Sequence, residues 1–446
     1  MKHPRTGLLP TALIALALTA PLTAQITFMR TYGGPSYDAG LSVAQTADGG
    51  YIMTGWSETP FGDTTDIWLG KVDSLGELEW TRQFGWRDEY DRGHCVAQTA
   101  DGGYIVTGEL DGNGWLTRFD SSGDTLWSRN PGATCGFSVV QTPDAGYIVS
   151  GQNSGDVLLV KTDSSGVRLW RRSYGGESVD CGYSVALTTD GGYIVTGYTR
   201  SFGAGRADAW LIKTDWLGDT IWTRTYGYAA GYDYGRSVTQ TADGGYVITG
   251  WTESLEPRSQ LWLIKTDASG DNIWTRVYGG SDFDKGYSVV QTGDGGFLVA
   301  GYTGSFGAGH HDVWLLKTDE MGDTLWTRTF GGTARDEAYC VAQTADGGYV
   351  ITGRTHSYGP DIGSVWLIKT DSLGLVGIAE PAPPVSVTPV EPTVVSASRL
   401  LAKLRRNPDL HLFDASGRRV LDRGDVRTGI VFLRSAETTR RVLVVD

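Results

Sequence analysis

Aromatic rings and carboxylates are concentrated at residues 86–93, which read WRDEYDRG, and further carboxylates follow at 109 and 111. An aromatic ring can stack on the apolar face of a sugar, and a carboxylate can hydrogen-bond hydroxyl groups or transfer protons. The side chains of these types are Trp86, Asp88, Glu89, Tyr90, Glu109 and Asp111. We predict a ligand-binding site here. A solvated loop would have the same composition, and that alternative stays open.

A motif of the form Q-T-x-D-G-G-Y recurs and indicates which elements hold these residues. Its seven copies start at Gln45, Gln98, Gln141, Leu187, Gln240, Gln291 and Gln343. Successive copies lie 43 to 53 residues apart, a period that fits a four-stranded propeller blade. The 63 glycines and 16 tryptophans favour short strands joined by tight turns. We predict an all-β protein, a seven-bladed β-propeller of four-stranded antiparallel blades.

One full copy shows how a blade is built. YSVVQT and FLVAGY are two strands joined at GDGG, and DVWLLKTD and TLWTRTF are the third and fourth strands. A single sheet cannot bury both faces, so its neighbours must cover them. Tryptophans of the third and fourth strands are predicted to pack between blades: Trp68, Trp115, Trp210, Trp262, Trp314, Trp366, Trp80, Trp127, Trp170, Trp222, Trp274 and Trp326. The last copy lacks a fourth strand, and TFMRTYGG at residues 27–34 is predicted to supply it.

The residue after the second-strand glycine varies between copies. It is, in order, Trp56, Glu109, Gln152, Tyr198, Trp251, Tyr302 and Arg354. Four of these are aromatic and could stack on sugar rings along one rim, with Trp56 and Trp251 the largest, although packing in the core is the alternative. The loops between second and third strands are short in copies two and three, ELDGNG and QNSGD against YTRSFGAGRAD, which predicts a shallow notch beside those blades.

Residues shared by all copies are predicted to serve folding. The aspartates of the D-G-G turns should bond their own backbone, and the aspartates that precede the first strands are predicted to pair with the fourth-strand arginines. His310, His311 and Asp312 share a loop but lack a spacing that converges on a metal. The nearest match to a calcium loop, at residues 111–113, is weak. No metal and no cofactor are expected.

Four cysteines are too few for a disulfide framework in a chain of 446 residues. Cys95 and Cys340 take a position that is serine in other copies, which predicts buried free thiols. Cys135 and Cys181 occupy matching positions in consecutive copies and could form a disulfide.

The N-terminus and the charge indicate an exported protein. Residues 1–24 combine Lys2 and Arg5 with an apolar run and small residues before Gln25, as in a signal peptide. The run is short for a membrane span, and no later segment predicts one. A net charge of −13 disfavours binding to nucleic acid or anionic membranes. We expect a monomer that is secreted or held at the outer cell surface.

Two resemblances extend these predictions. The LIKTD…GDT…W hairpins resemble those of quinoprotein-type and kelch-like propellers, and the array as a whole, over residues 26–377 of the predicted propeller domain 25–379, resembles secreted bacterial propellers. No two cysteines are adjacent, unlike in quinone-dependent dehydrogenases. After a proline-rich linker at 380–398, residues 399–446 contain LHLFDASGRRVL, TGIVFLRS and RRVLVVD, which resemble the C-terminal sorting domain of the type IX secretion system. That resemblance implies a small β module recognised by secretion machinery.

Two classes of function remain open from the sequence. The leading hypothesis is a binding or scaffold module with a glycan or a surface protein as its ligand on the loop face. The alternative is a secreted carbohydrate-active enzyme, an endoglucanase-like hydrolase or a lyase. No G-x-S-x-G elbow is present, and no acid–base pair of carboxylates can be singled out among so many turn aspartates.

Overall fold

The computed structural model describes residues 25–34, 36–58, 64–85, 90–229, 231–255, 258–359 and 363–377, and four strands between 393 and 445. All regular elements in these ranges are β-strands. Within them, no helix is long and apolar enough to cross a membrane. The predicted signal peptide, residues 1–24, lies outside the described residues.

The strands of the repeats form seven blades. Blades one and two contain β2 (Asp38–Gln45), β3 (Tyr51–Glu58), β4 (Thr65–Val72), β5 (Leu78–Phe84), β6 (Arg92–Gln98), β7 (Tyr104–Leu110), β8 (Asn113–Phe119) and β9 (Thr125–Arg129). Blades three and four contain β10 (Cys135–Gln141), β11 (Tyr147–Asn153), β12 (Asp156–Thr162), β13 (Arg168–Tyr174), β14 (Asp180–Leu187), β15 (Tyr193–Thr199), β16 (Asp208–Thr214) and β17 (Thr220–Tyr226). Blades five to seven contain β18 (Asp233–Gln240), β19 (Tyr246–Thr252), β20 (Gln260–Thr266), β21 (Asn272–Tyr278), β22 (Asp284–Gln291), β23 (Phe297–Thr303), β24 (Asp312–Thr318), β25 (Thr324–Phe330), β26 (Asp336–Gln343), β27 (Tyr349–Thr355), β28 (Ser364–Thr370) and β1 (Phe28–Tyr32).

Each blade is a four-stranded antiparallel sheet, so the predicted seven-bladed propeller is confirmed. The first strand of each blade is innermost, because it contacts the first strands of both neighbours; β2, for example, contacts β6 and β26. These seven strands surround a central channel. Because strands alternate in direction, the loops between blades and those between second and third strands lie together. We call that side of the ring the loop face.

Blade seven is completed by the N-terminal strand, as predicted. Its strand order is β1-β28-β27-β26, with Phe28 opposite Lys369 and Tyr32 opposite Val365. The Tyr32 hydroxyl donates a hydrogen bond to the Gly76 carbonyl in blade one, at 2.6 Å. The first strand of the chain therefore joins the last blade to the first, and the ring has no open edge at this seam.

The repeated D-G-G turn is structural, as predicted, and it also neutralises a buried lysine. In blade one, Asp48 accepts hydrogen bonds from the Thr46 hydroxyl and the Gly50 amide, and its carboxylate lies 2.9 Å from Lys71 Nζ. Burial alone would raise the pKa of Asp48, but these donors lower it to about 2. Gly49 takes the positive φ of 85° that the turn requires.

Tryptophan packing between blades is also confirmed. The third-strand tryptophans are buried. Each fourth-strand tryptophan lies against the next blade; Trp80 packs on Tyr104 with ring centroids 5.8 Å apart, and a Cβ on Gly123 would meet its ring. Glycine is therefore required where this turn approaches the neighbouring indole.

The predicted pairing of first-strand aspartates with fourth-strand arginines is wrong. Asp180 is buried and accepts hydrogen bonds from the Gly176 amide and the Ser201 hydroxyl. The arginines instead reach the next blade, as Arg172 does to Asp219 at 3.0 Å. The reason is topological: the aspartate lies on the innermost strand of a blade and the arginine on the outermost.

The C-terminal region contains a separate four-stranded sheet. Its strands are β29 (Thr393–Ser396), β30 (His411–Asp414), β31 (Gly429–Arg434) and β32 (Thr439–Val445), in the order β29-β32-β31-β30. β29 pairs in parallel with β32, and the other pairs are antiparallel. The three predicted strands are present, and the fourth, β29, comes from the segment that the sequence predicted to be linker.

Candidate functional site

The variable positions of the repeats meet at the mouth of the central channel. In every blade, the residue after the second-strand glycine lies opposite the first-strand residue two positions before the bulge. These cross-strand pairs are Ala39 with Trp56, Arg92 with Glu109, Cys135 with Gln152, Cys181 with Tyr198, Tyr234 with Trp251, Lys285 with Tyr302, and Glu337 with Arg354. All lie at the loop-face end of their strands. We call this ring of pairs the channel mouth.

A β-bulge in each first strand adds one more variable residue to the channel. The bulged residues are Leu41, His94, Phe137, Tyr183, Arg236, Tyr287 and Tyr339. From blade two to blade seven they contact one another in sequence; the Arg236 guanidinium lies 3.9 Å from the Tyr183 ring centroid and 5.2 Å from that of Tyr287. Sequence reasoning missed this belt, although the variable residue of the G-x-S-V stretch was a readable signal for it.

Trp251 is packed into the channel mouth on blade five. It is 9% exposed, its ring lies 4.9 Å from that of Tyr234, and Lys285 Nζ lies 4.3 Å from its centroid. Tyr302 is also buried and stacks on His311 with centroids 4.4 Å apart. A sugar ring could reach either face of Trp251 only by displacing these neighbours, so the packing alternative describes this residue.

Glu337 is the centre of a buried ion-pair network on blade seven. Its carboxylate lies 2.8 Å from an Arg354 guanidinium nitrogen and 3.1 Å from His311 Nδ1, and the Tyr339 hydroxyl donates to it. Burial would raise the pKa of Glu337, but the hydrogen bond from His311, the Arg354 charge and the Tyr339 hydroxyl together lower it to about 2. The loop histidine therefore pairs with a carboxylate across a blade seam. His310 and His356 do not join this contact.

The channel mouth differs on blades one and two. Trp56 is half-buried, and the Arg92 guanidinium lies 5.9 Å from its ring centroid and 5.8 Å from that of Tyr90. Tyr90 is 61% exposed. Glu109 is half-buried opposite Arg92. The structure thus brings Trp56, Tyr90 and Glu109 together around one arginine, whereas the predicted site residues Trp86, Asp88 and Glu89 lie outside the described residues.

The connections between second and third strands are short turns in blades two and three, where the sequence predicted a shallow notch. Asp111 and Gly112 form a two-residue turn with φ values of 54° and 68°, the positive pair of a type I′ hairpin. The Asp111 amide donates to Asp91. Ser154 and Gly155 repeat this geometry in blade three. Such a turn fixes the backbone of Asp111 and adds no long loop between the second and third strands of this blade.

A shallow cavity of about 380 Å³ opens beside this turn, lined by Leu110, Asp111, Asn113, Gly114, Trp115, Ser128, Arg129 and Asn130. Its cause is a shortened fourth strand. β9 has five residues where β5 has seven, because Pro131 replaces the aromatic residue of other blades and cannot donate to the ladder. Pairing with β8 therefore starts at Leu116, and Trp115 has no fourth-strand residue opposite it.

A second cavity, of about 570 Å³, lies on the loop face between blades four and five. It is lined by Ala204, Gly205, Arg206, Ala229, Gly231, Glu253 and Ser254. The Arg206 amide donates to the Gly231 carbonyl, which joins the loop before β16 to the loop before β18. The Arg206 guanidinium lies 5.9 Å from the Tyr232 centroid. Tyr232 stacks in turn on Tyr234 of the channel mouth. The sequence missed this cavity because its polar groups belong to two loops that are distant in the chain.

All four cysteines are free thiols. Cys135 and Cys181 are buried and do not form the disulfide that their matching positions allowed. Cys95 and Cys340 are half-buried, and each thiol donates to a carbonyl of an adjacent blade. Among the described residues, one group of metal-ligand types converges: His94, Glu109 and Cys135 present ligand atoms within 4.8 Å of one another.

Comparisons with known proteins support the fold. No protein-family model matches the chain. The regulatory protein FlaEY of Caulobacter vibrioides is 29% identical over 133 residues, which is 27% of this chain, and the chain spans 14% of the length of that curated relative. The solved structure of U3-55K aligns with a TM-score of 0.52 and 10% identity, covering 77% of this chain and 98% of that one. The WD40 β-propeller domain of Doa1 aligns with a TM-score of 0.50 and 12% identity, over 77% and 96%. At such identities the likeness shows the propeller fold alone.

Proposed function

We propose that the protein is an exported, non-catalytic binding module that takes a glycan on its loop face. One observation carries the proposal. Six aromatic side chains are exposed among the described residues, and five of them, Tyr37, Tyr90, Phe202, Tyr228 and Phe306, lie on the loop face. The sixth, Trp216, lies in a hairpin turn on the opposite face. Exposed aromatic rings gathered on one side of a repeat protein indicate a binding surface.

The cavity between blades four and five is where we place the ligand. Phe202 and Tyr228 belong to two of the three loops that line it, and Arg206, Glu253 and Ser254 supply donors and acceptors. A sugar has apolar C–H faces and a rim of hydroxyl groups, so it can use rings and charged side chains together. Tyr90, Trp56 and Glu109 offer a second contact surface of the same composition on blades one and two.

A binding experiment tests this proposal. The purified chain is tested for retention on a panel of insoluble and immobilised glycans, and products in solution are measured at the same time. Tyr228→Ala and Arg206→Ala are expected to weaken retention about tenfold each, the effect of losing roughly 1.4 kcal/mol of contact energy. Trp216→Ala removes a larger exposed ring from the opposite face and should leave retention unchanged.

Two results would contradict the binding proposal. If Trp216→Ala weakened retention as much as Tyr228→Ala did, the loop face would have no special role. If soluble products accumulated and Glu109→Gln abolished them, the protein would be the carbohydrate-active enzyme that the sequence left as the alternative. Retention without products, lost on the loop-face variants alone, is the result expected.

Export rests on the two ends of the chain. The support is the basic and apolar pattern of residues 1–24 and the resemblance of residues 399–446 to a type IX sorting domain. We propose that the N-terminal segment is removed before Gln25 and that secretion machinery recognises the C-terminal module. Mass spectrometry of the protein recovered from medium and cell surface should find Gln25 at the N-terminus, and recovery of the uncleaved chain inside the cell would contradict this.

A further inference from the structure

We propose that His94, Glu109 and Cys135 form a zinc-binding site at the channel mouth, between blades two and three. An imidazole nitrogen, a carboxylate oxygen and a sulfur atom lie within 4.8 Å of one another there. These are the three donor types that proteins use to bind Zn²⁺, and the mixture of soft and harder donors is unsuited to calcium or magnesium.

The donor separations are within about 1 Å of those around a tetrahedral zinc ion. With metal–ligand bonds of 2.0–2.3 Å, neighbouring donors around zinc lie roughly 3.3–3.8 Å apart. The three side chains therefore need to move together by about 1 Å, which rotation about their side-chain bonds provides. Their backbones are held by β6 and β10, two first strands of the inner ring, and by β7, the second strand of blade two. Sites on strands are positioned more precisely than sites on loops.

The repeat itself shows that the scaffold does not need these residues. The position of His94 holds Leu41, Phe137, Tyr183, Arg236, Tyr287 and Tyr339 in the other blades, and that of Glu109 holds Trp56, Gln152, Tyr198, Trp251, Tyr302 and Arg354. A ligand-type residue occurs at each of the three positions at one seam, between blades two and three. All three lie at variable positions, where a residue is free to serve a ligand.

The surroundings fit an accessible site with one open coordination position. Cys135 is 7% exposed, whereas His94 and Glu109 are half-buried, so an ion can enter from the channel mouth. The Phe137 ring packs on the His94 ring with centroids 5.1 Å apart, which restricts the orientation of the imidazole. Three protein ligands leave the fourth tetrahedral position for water, the arrangement of zinc sites that remain open to a further ligand.

A metal titration of the full chain tests the proposal. The reduced, metal-free protein is titrated with Zn²⁺ against a chromophoric chelator, and with Co²⁺, whose thiolate coordination gives a charge-transfer band. We expect one equivalent to bind. Cys135→Ser and His94→Gln should weaken binding by more than roughly 100-fold, because even residues that only support a ligand cost 10–100-fold. Cys340→Ser is the matched control: it removes a thiol from blade seven, at a position that is serine in blades one and three to six, and should bind as the wild type does.

A second measurement needs no variant. In the wild-type chain, Zn²⁺ should slow alkylation of Cys135 and leave the alkylation rate of Cys340 unchanged. This result does not depend on whether the variants fold. The proposal is overturned if no stoichiometric zinc is bound, if Cys135→Ser binds zinc as the wild type does, or if Cys135 is found in a disulfide with Cys181 in protein purified without reductant.

Discussion

The two sides of the channel mouth place different chemistry on the same backbone. On blades five to seven, the variable positions hold packed rings and a neutralised ion pair, with Trp251 covered by its neighbours and Glu337 bonded to Arg354. On blades two and three, they hold Arg92, Glu109 and Cys135 in the same cross-strand register. The register is common to all blades, so the difference is carried by side chains alone.

This difference shows how a repeat protein separates stability from function. Every blade keeps the turn aspartate, its buried basic partner and the largely buried second and third strands, which supply the fold. Three positions per blade, the two of the cross-strand pair and the bulge, hold different residues in different blades and are therefore not required by the fold. On blades five to seven they hold packed rings and an ion pair, and on blades two and three they hold the residues of the proposed metal site.

The largest difference in stability is expected between variants of the two tryptophans of the channel mouth, Trp56 and Trp251. Trp251→Ala should lower the free energy of unfolding by about 3–5 kcal/mol, because it removes a buried indole from a packed cluster. Trp56→Ala, from the half-buried position on blade one, should cost about 1–2 kcal/mol. Chemical denaturation of both variants measures this. Equal losses would mean that the two sides of the mouth are packed alike.

Breaking the ion-pair network of blade seven should have the next largest effect. Glu337→Gln leaves the Arg354 charge partly buried without its counter-charge, and we expect a loss of about 3 kcal/mol in the free energy of unfolding. Glu77→Gln is the control, since Glu77 pairs with Arg30 at an exposed seam and should cost less than about 1 kcal/mol. A loss below that of the control would show that the network is not a stabilising element.

The same carboxylate makes a prediction for pH. The pKa of Glu337 is about 2 in the folded chain against an ordinary value of 4.5, so the unfolded chain takes up the proton first as pH falls. Its contribution is fully present above pH 4.5 and is lost between pH 4.5 and 2, by up to about 3 kcal/mol. The difference in unfolding free energy between wild type and Glu337→Gln should therefore shrink across that window. A difference that stayed constant with pH would contradict this origin.

The fold could be predicted from the sequence because its causes are local and repeated. The period, the D-G-G turns and the alternating apolar strands each recur in every copy, and the missing fourth strand of blade seven left one candidate, β1, to complete it. The tryptophans followed, because each blade must be covered by its neighbours. The ion-pair partner of Arg172 could not be predicted from the repeats, because the choice between Asp180 and Asp219 depends on which strand of the blade is innermost.

The candidate site was predicted less well, for a physical reason. Glu109 and Cys135 are distant in the sequence and meet only through the seam between two blades. The bulge that adds His94 to the channel is a backbone irregularity; its position in the G-x-S-V stretch varies between copies, but that variation does not show where the side chain lies. Trp56 and Trp251 share one repeat position, and Trp251 is the more buried because Tyr234 of its own blade and Tyr287 of the next pack against it. The sequence shows that both residues are aromatic, but it does not show which side chains surround them.

The smallest expected effect concerns the outer seams. Tyr226 ends a fourth strand, and its hydroxyl donates to the Gly270 carbonyl of the next blade at 2.6 Å; blade two has Pro131 at this position and therefore lacks such a bond. Tyr226→Phe keeps the ring and removes the donor, so it should cost about 1 kcal/mol of unfolding free energy. Tyr37→Phe, at an exposed tyrosine of the loop face, should change it by less than about 0.5 kcal/mol. If both variants were neutral, the tyrosine bonds would add nothing to the seams of blades three to five, and the seam after blade two would differ from them only in packing.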